Sequence, residues 1–108
     1  MGASKSDIFS SHHNQIADMA KAMAHPARVA ILEQILNTGS CICNDFVIQL
    51  PLAQATISQH LKELKIAGII KGQTEGNAVC YCIDEDNWNK METIFSKLFK
   101  SIKNKNCC

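Results

Sequence analysis

Leu52–Gly68, LAQATISQHLKELKIAG, decides how the rest of the chain is read. Ile57, Leu61 and Leu64 recur at helical spacing and make one apolar stripe. Ala55, Ser58, Gln59 and Lys62 fall on the opposite side, with Thr56 and His60 on the flanks. Few of these outward groups carry charge, and most can form hydrogen bonds. A helix that needs only solubility uses more Glu and Lys. Uncharged donor–acceptor groups suit base edges in a major groove, where Gln pairs two-pronged with adenine. Gly68 then supplies a left-handed stop. Taken alone, the same pattern also fits an ordinary amphipathic core helix, so the flanking segments decide.

On the N-terminal side, Pro51 breaks a short helix expected from about Asn44 to Leu50, with Phe46, Val47 and Leu50 apolar. Helix, tight turn and helix make a helix-turn-helix. Residues 40–43, SCIC, read as extended. Before them Pro26 opens a helix carrying Ile31, Leu32, Ile35 and Leu36, which Asn37-Thr38-Gly39 ends. An earlier helix begins at about Ser11, with Ile16, Met19, Ala20 and Met23 on one face. On the C-terminal side the period changes to two. Residues 69–74 form one strand candidate, Glu75-Gly76-Asn77 a turn, and Val79, Tyr81 and Ile83 alternate with Ala78, Cys80 and Cys82 in a second strand. That alternation gives Val79, Tyr81 and Ile83 the core face and leaves both thiols on the other. A last helix is expected from about Asp86 to Lys103, with Trp88, Met91, Phe95, Leu98 and Ile102 recurring every three or four residues.

The expected fold is therefore mainly α with a small β-hairpin: a winged helix-turn-helix of five or so helices, paired as a homodimer. Residues 1–10 read as a loose arm, 11–103 as the DNA-binding and dimerisation domain, and 104–108 as a cysteine-containing tail. A chain of 108 residues makes one domain, and a net charge of +1 neither demands nor excludes nucleic acid. No run of about eighteen apolar residues is present, so no membrane span is expected. The N-terminus lacks the apolar core of a secretory signal, which points to the cytoplasm. In that reducing compartment the six cysteines, Cys41/Cys43, Cys80/Cys82 and Cys107/Cys108, are expected as thiols. Close thiol pairs there suggest soft-metal or redox chemistry.

The segments AKAMAHPARVAILEQIL (20–36), CICNDF (41–46), LAQATISQHLKELKIAGII (52–70) and VCYCID (79–84) resemble the ArsR/SmtB family of winged-helix metal-sensing repressors. The S-x-H-L-K-x-L-x-x-A-G run from Ser58 to Gly68 is the most specific part, and the resemblance spans most of the chain. It implies a homodimer built on the first and last helices. It further implies repression by sitting on double-stranded operator DNA, with release when metal binds. By resemblance the DNA-reading positions are Gln54, Thr56, Ser58, Gln59, His60 and Lys62. For His60, a supporting or phosphate contact outweighs base readout. Arg28 reads as a structural residue of its helix. The wing departs from the family pattern: its tip is Glu75-Gly76-Asn77, with only Lys71 basic nearby, so a modest salt slope is expected.

Cys41-Ile42-Cys43 matches the C-x-C that arsenic, antimony, cadmium and lead sensors of the family carry beside the helix-turn-helix. Residues two apart in an extended segment point the same way, so both sulfurs can meet one ion. One familiar arsenic-sensor pattern has a third cysteine three residues later, where this chain has Phe46. Either the third sulfur comes from Cys80, Cys82, Cys107 or Cys108, of this or the other subunit, or the site is two-coordinate; the reach of a flexible tail favours Cys107 and Cys108. The expected metal ligands are thus Cys41, Cys43, Cys107 and Cys108, with As(III) the leading inducer and Sb(III), Cd(II) and Pb(II) behind it. No cofactor is required for DNA binding. The final helix contains no His, which disfavours zinc sensing there. The expected function is a repressor of a metal or metalloid resistance operon. The alternative keeps the fold and makes the thiols a redox or reactive-sulfur switch. Neither a C-x-x-C at a strand–helix junction nor a phosphate-cradling loop is present to suggest an enzyme.

Overall fold

A computed structural model describes residues 8–43, 50–76 and 78–103. In chain order, helix α1 spans Ser11–Met23, α2 Pro26–Thr38, strand β1 Ile42–Cys43, α3 Gln54–Ile66, β2 Ile70–Glu75, β3 Ala78–Ile83 and α4 Glu85–Phe99. The short helix expected before Pro51 falls on residues 44–49, outside the described residues, as do residues 1–7 of the arm and the 104–108 tail.

The helix ends follow from local chemistry. Ser10 caps α1 by accepting a bond from the His13 amide. His25 caps α2 through Nδ1, which accepts from the Ala27 amide at 3.0 Å, and Pro26 takes the first turn where no donor is needed. Gly39, at φ 71°, closes α2 in the left-handed conformation that the Asn-Thr-Gly run suggested. Asp84 caps α4 and accepts from the Asn87 amide. The last helix ends at Phe99 rather than near Lys103, which leaves Ile102 beyond it.

The core lies where α2, α3 and the sheet meet. Ile31, Leu32 and Ile35 from α2, Ile57, Leu61 and Leu64 from α3, and Ile42, Ile69, Ile70 and Met91 are all buried. Each such side chain stabilises the fold by roughly 1.5–3 kcal/mol relative to exposure. The expected α3 stripe is therefore the stripe that is buried. In α1 the buried position is Ala22, while Ala20 is exposed.

The sheet is larger than the hairpin read from the sequence. β1 joins it, giving three antiparallel strands in the order β1-β3-β2. Ile42 lies opposite Tyr81, and Cys43 opposite Cys80. Two residues of strand are too short to announce themselves by alternation, so only the pairing reveals them. Ile42, Tyr81, Ile83 and Ile70 form the face packed on the helices. Cys80 is on the other face, as its alternation implies, yet it is 1% exposed. The face opposite the core is thus not open at that position.

Candidate nucleic-acid interface and thiol cluster

α3 presents Gln54, Ala55, Thr56, Ser58, Gln59 and Lys62 as exposed residues above the buried Ile57, Leu61 and Leu64. Five of the six positions named for DNA are in that exposed set. Gln59 Nε2 donates to Glu63 Oε1 at 3.1 Å, one turn on, which orients its amide along the helix. Lys65 on the same helix and Lys71 on β2 are also exposed. Lys65 Nζ would stand 3.4 Å from a Cβ placed on Gly72, so the end of α3 and the wing meet closely there.

His60 is the exception among the six. It is 8% exposed, and Arg28 Nε donates to its Nδ1 at 3.1 Å. A guanidinium only donates, so Nδ1 carries a lone pair and His60 is neutral. Burial lowers the His60 pKa from its ordinary value, and electrostatic interaction with His25 and Arg28 lowers it further. The His25 ring centroid is 4.3 Å away. Arg28 Nη1 also donates to the Ala22 carbonyl at 3.1 Å. One guanidinium therefore ties the end of α1 to α3 from its seat on α2. Arg28 is the structural residue expected, and the His60 side chain braces the recognition helix from beneath instead of facing outward.

The far end of α3 is fixed as firmly. Gly68 has φ 79°, and a Cβ there would come 2.9 Å from Asn87 Nδ2. That amide donates to the Gly68 carbonyl at 2.9 Å and to Asp84 Oδ2 at 3.3 Å. The chain thus passes from α3 to the wing, and from the wing to α4, around one side chain.

The second cluster lies across β1 and β3. Cys41 and Cys82 are joined by a disulfide, with their Cα atoms 4.4 Å apart. Cys80 is disulfide-bonded as well. Gln73 Nε2, from β2, lies 3.6 Å from Cys41 Sγ and 3.7 Å from Cys82 Sγ and donates to both. Cys41, Cys80 and Cys82, expected as thiols, are therefore disulfide-bonded here, and Cys41 is joined to a cysteine of β3. Cys107 and Cys108 lie outside the described residues. In this state no three His, Cys, Asp or Glu side chains among the described residues gather to hold an ion. The part of Gln73 was not read from the sequence. Two C-x-C pairs, each at strand spacing, were the available signal for the meeting of Cys41 with Cys82.

Residues 25–71, from the cap of α2 to the start of the wing, match the model of the bacterial regulatory protein arsR family. An uncharacterised HTH-type transcriptional regulator of Methanocaldococcus jannaschii is 34% identical over 87 residues, covering 80% of this chain and 97% of that one. The chain belongs to the ArsR family. A homolog of the cadmium resistance regulatory protein CadC from Staphylococcus aureus is 32% identical, covering 77% of this chain and 69% of that one. The repressor SmtB of Mycobacterium tuberculosis is 38% identical over 64 residues, 59% of this chain, which spans about half (47%) of its length. A homodimeric winged helix-turn-helix DNA-binding domain from Mycobacterium bovis superposes with a TM-score of 0.64 at 20% identity, over 100% of this chain and 98% of that one. This ArsR-family chain is a winged-helix, DNA-binding transcriptional regulator, and the relatives it matches are regulators, not enzymes. No described helix is long and apolar enough to cross a membrane.

Proposed function

We propose that the protein represses a metal or metalloid resistance operon and leaves its operator when a thiophilic ion binds the cysteines beside the helix-turn-helix. The observation that carries the DNA-binding half is the outward face of α3, where Gln54, Thr56, Ser58, Gln59 and Lys62 stand exposed above a buried apolar stripe. Uncharged amides and hydroxyls there read base edges, and Lys62 meets phosphate. Support for the sensing half comes from Cys41 and Cys43, which precede the helix-turn-helix, and from the cadmium-resistance regulator among the relatives. Arsenite leads the candidate inducers on the C-x-C motif, with antimony, cadmium and lead behind it.

The working unit in this reading is a cytoplasmic homodimer paired through α1 and α4. Ile8, Phe9, Leu98, Phe99 and Ile102 are large apolar residues left between 47% and 84% exposed near these two helices. A groove of about 280 Å³ is lined by Met23 of α1 and by Trp88, Met91, Glu92 and Phe95 of α4. Water contact with so much apolar surface is unfavourable, and a second copy removes it. A two-fold dimer then expects an inverted-repeat operator with half-sites a helical turn apart.

The Cys41–Cys82 disulfide favours a second reading, in which oxidation rather than an ion is the signal. The two separate in one titration. Reduced protein is held on its upstream DNA, and the anisotropy of the labelled DNA is followed as arsenite, cadmium or a peroxide is added. Release by an ion near one equivalent per chain supports the first reading, and release by peroxide alone supports the second. Failure to bind that DNA under any condition sinks both.

A further inference from the structure

Cys41 and Cys43 stand two apart in one extended segment, and Cys80 and Cys82 stand two apart on β3. In a strand, positions two apart share a face, and positions directly opposite in an antiparallel pair share it too. Cys43 is opposite Cys80, and Cys41 is bonded to Cys82 two residues along the ladder, past the Ile42–Tyr81 pair. Positions 41, 43, 80 and 82 therefore form a two-by-two array on the face turned away from the core. On the third strand, Gln73 is opposite Cys80 and Lys71 is opposite Cys82, which puts an amide and a cation on that same face. Gln73 already donates to the sulfurs of Cys41 and Cys82.

We propose that Cys41, Cys43, Cys80 and Cys82, once reduced, hold a single soft divalent cation as four thiolates, with Gln73 as a positioning residue. This rests on the thiol-sensing reading above and names its ligands and class of ion. Reducing each disulfide takes two electrons and two protons, which a dithiol reductant supplies as it closes its own disulfide. Each thiol then gives its proton to solvent as the ion binds. Four sulfurs are the preferred set of zinc-like and cadmium-like ions, whereas arsenite is satisfied by three. Four thiolates around a divalent ion leave an excess of negative charge. The Gln73 amide and the Lys71 cation on the same face offset it. A cavity of about 410 Å³, lined in part by Cys41, Cys82, Leu36, Glu85 and Trp88, opens on one edge of the array and gives an ion its approach. The ion clamps the segment that leads into the helix-turn-helix to the central strand of the wing. Both DNA-touching parts are then anchored at one atom.

Cadmium titration of the reduced full chain, without DNA, tests this by ultraviolet thiolate-to-cadmium absorbance and by cadmium-113 NMR. One cadmium per chain is expected, with a four-sulfur chemical shift. The Cys107→Ser/Cys108→Ser double variant behaves like the parent. Cys82→Ser, at a half-buried site, moves the shift to that of three sulfurs. Cys80→Ser/Cys82→Ser loses about half the absorbance per cadmium, since two of four sulfurs are gone. Gln73→Ala keeps the stoichiometry and weakens binding about 10-fold. A Cys82→Ser spectrum identical to the parent's overturns the proposal, as does loss of signal from the tail variant instead. Operator binding measured alongside keeps the two readings apart. Four-sulfur cadmium binding that leaves DNA affinity unchanged removes the sensing role and keeps the site. Cadmium-driven release that survives Cys82→Ser removes the site and keeps the sensing role.

Discussion

The recognition helix and the thiol cluster are two ways of making a site. α3 is built from one continuous segment, and its outward face is the complement of its own buried stripe. The thiol cluster is built from two segments far apart in the chain, brought together by a two-residue strand. The first kind of site follows from periodicity, because burying Ile57, Leu61 and Leu64 determines where Ser58, Gln59 and Lys62 must be. The second kind depends on register. A slip of one residue in β1 against β3 would turn its cysteines to the other face. The outward face of α3 is therefore robust to local change, and the thiol cluster is fragile to any change that moves β1.

That contrast is broken most strongly through the seat of α3. Leu61→Ala removes a fully buried side chain and is expected to cost about 2–5 kcal/mol in urea unfolding. Arg28→Ala strands the buried His60 and is expected to cost about 1–3 kcal/mol. It should loosen α3 without altering the Cys41–Cys82 linkage seen by peptide mass spectrometry. Gly68→Ala forces a side chain into positive φ and against Asn87, at a cost of about 1–2 kcal/mol, seen as a lowered thermal midpoint. Lys62→Ala should leave stability unchanged, weaken binding equally to all sequences, and reduce the salt slope by about 1.

The smallest effect is on pH. The His60 pKa is lowered in the folded state, so the unfolded chain binds more protons below its own pKa of about 6.5. The stability tied to neutral His60 is complete above that pH. It is lost as the pH falls toward the folded pKa. Urea midpoints measured from pH 7.5 down to 5 should fall for the parent and fall less for His60→Gln.

How much of this is legible in the sequence depends on the distance over which the pattern acts. The α2 and α3 faces, the Gly39 and Gly68 stops, the Pro26 start and the hairpin all follow from residues within a turn or two of one another. The strand alternation also placed Cys80 and Cys82 away from the core face. Three things act at longer range and were not read. Arg28 reaches His60 across the helix packing, which draws a residue with a DNA-reading resemblance into the interior. β1 becomes a strand only by pairing with β3. The Cys41–Cys82 bond joins residues 41 apart in the sequence, and no local pattern announces it. The length of the last helix was overestimated because the apolar spacing runs on through Ile102 after the helix has ended at Phe99. Apolar periodicity marks a face, and here part of that face lies beyond the helix.

In the proposed function, the state of Cys41 and Cys82 governs the hold of α3 on DNA. The most direct measurement is the operator dissociation constant of the reduced chain, with and without one equivalent of cadmium, for the parent and for Cys41→Ser/Cys82→Ser. Cadmium is expected to weaken the parent at least ~10-fold, which is about 1.4 kcal/mol of coupling, and to leave the variant's affinity unmoved. Equal affinity of the parent with and without cadmium, or equal weakening of parent and variant, contradicts it.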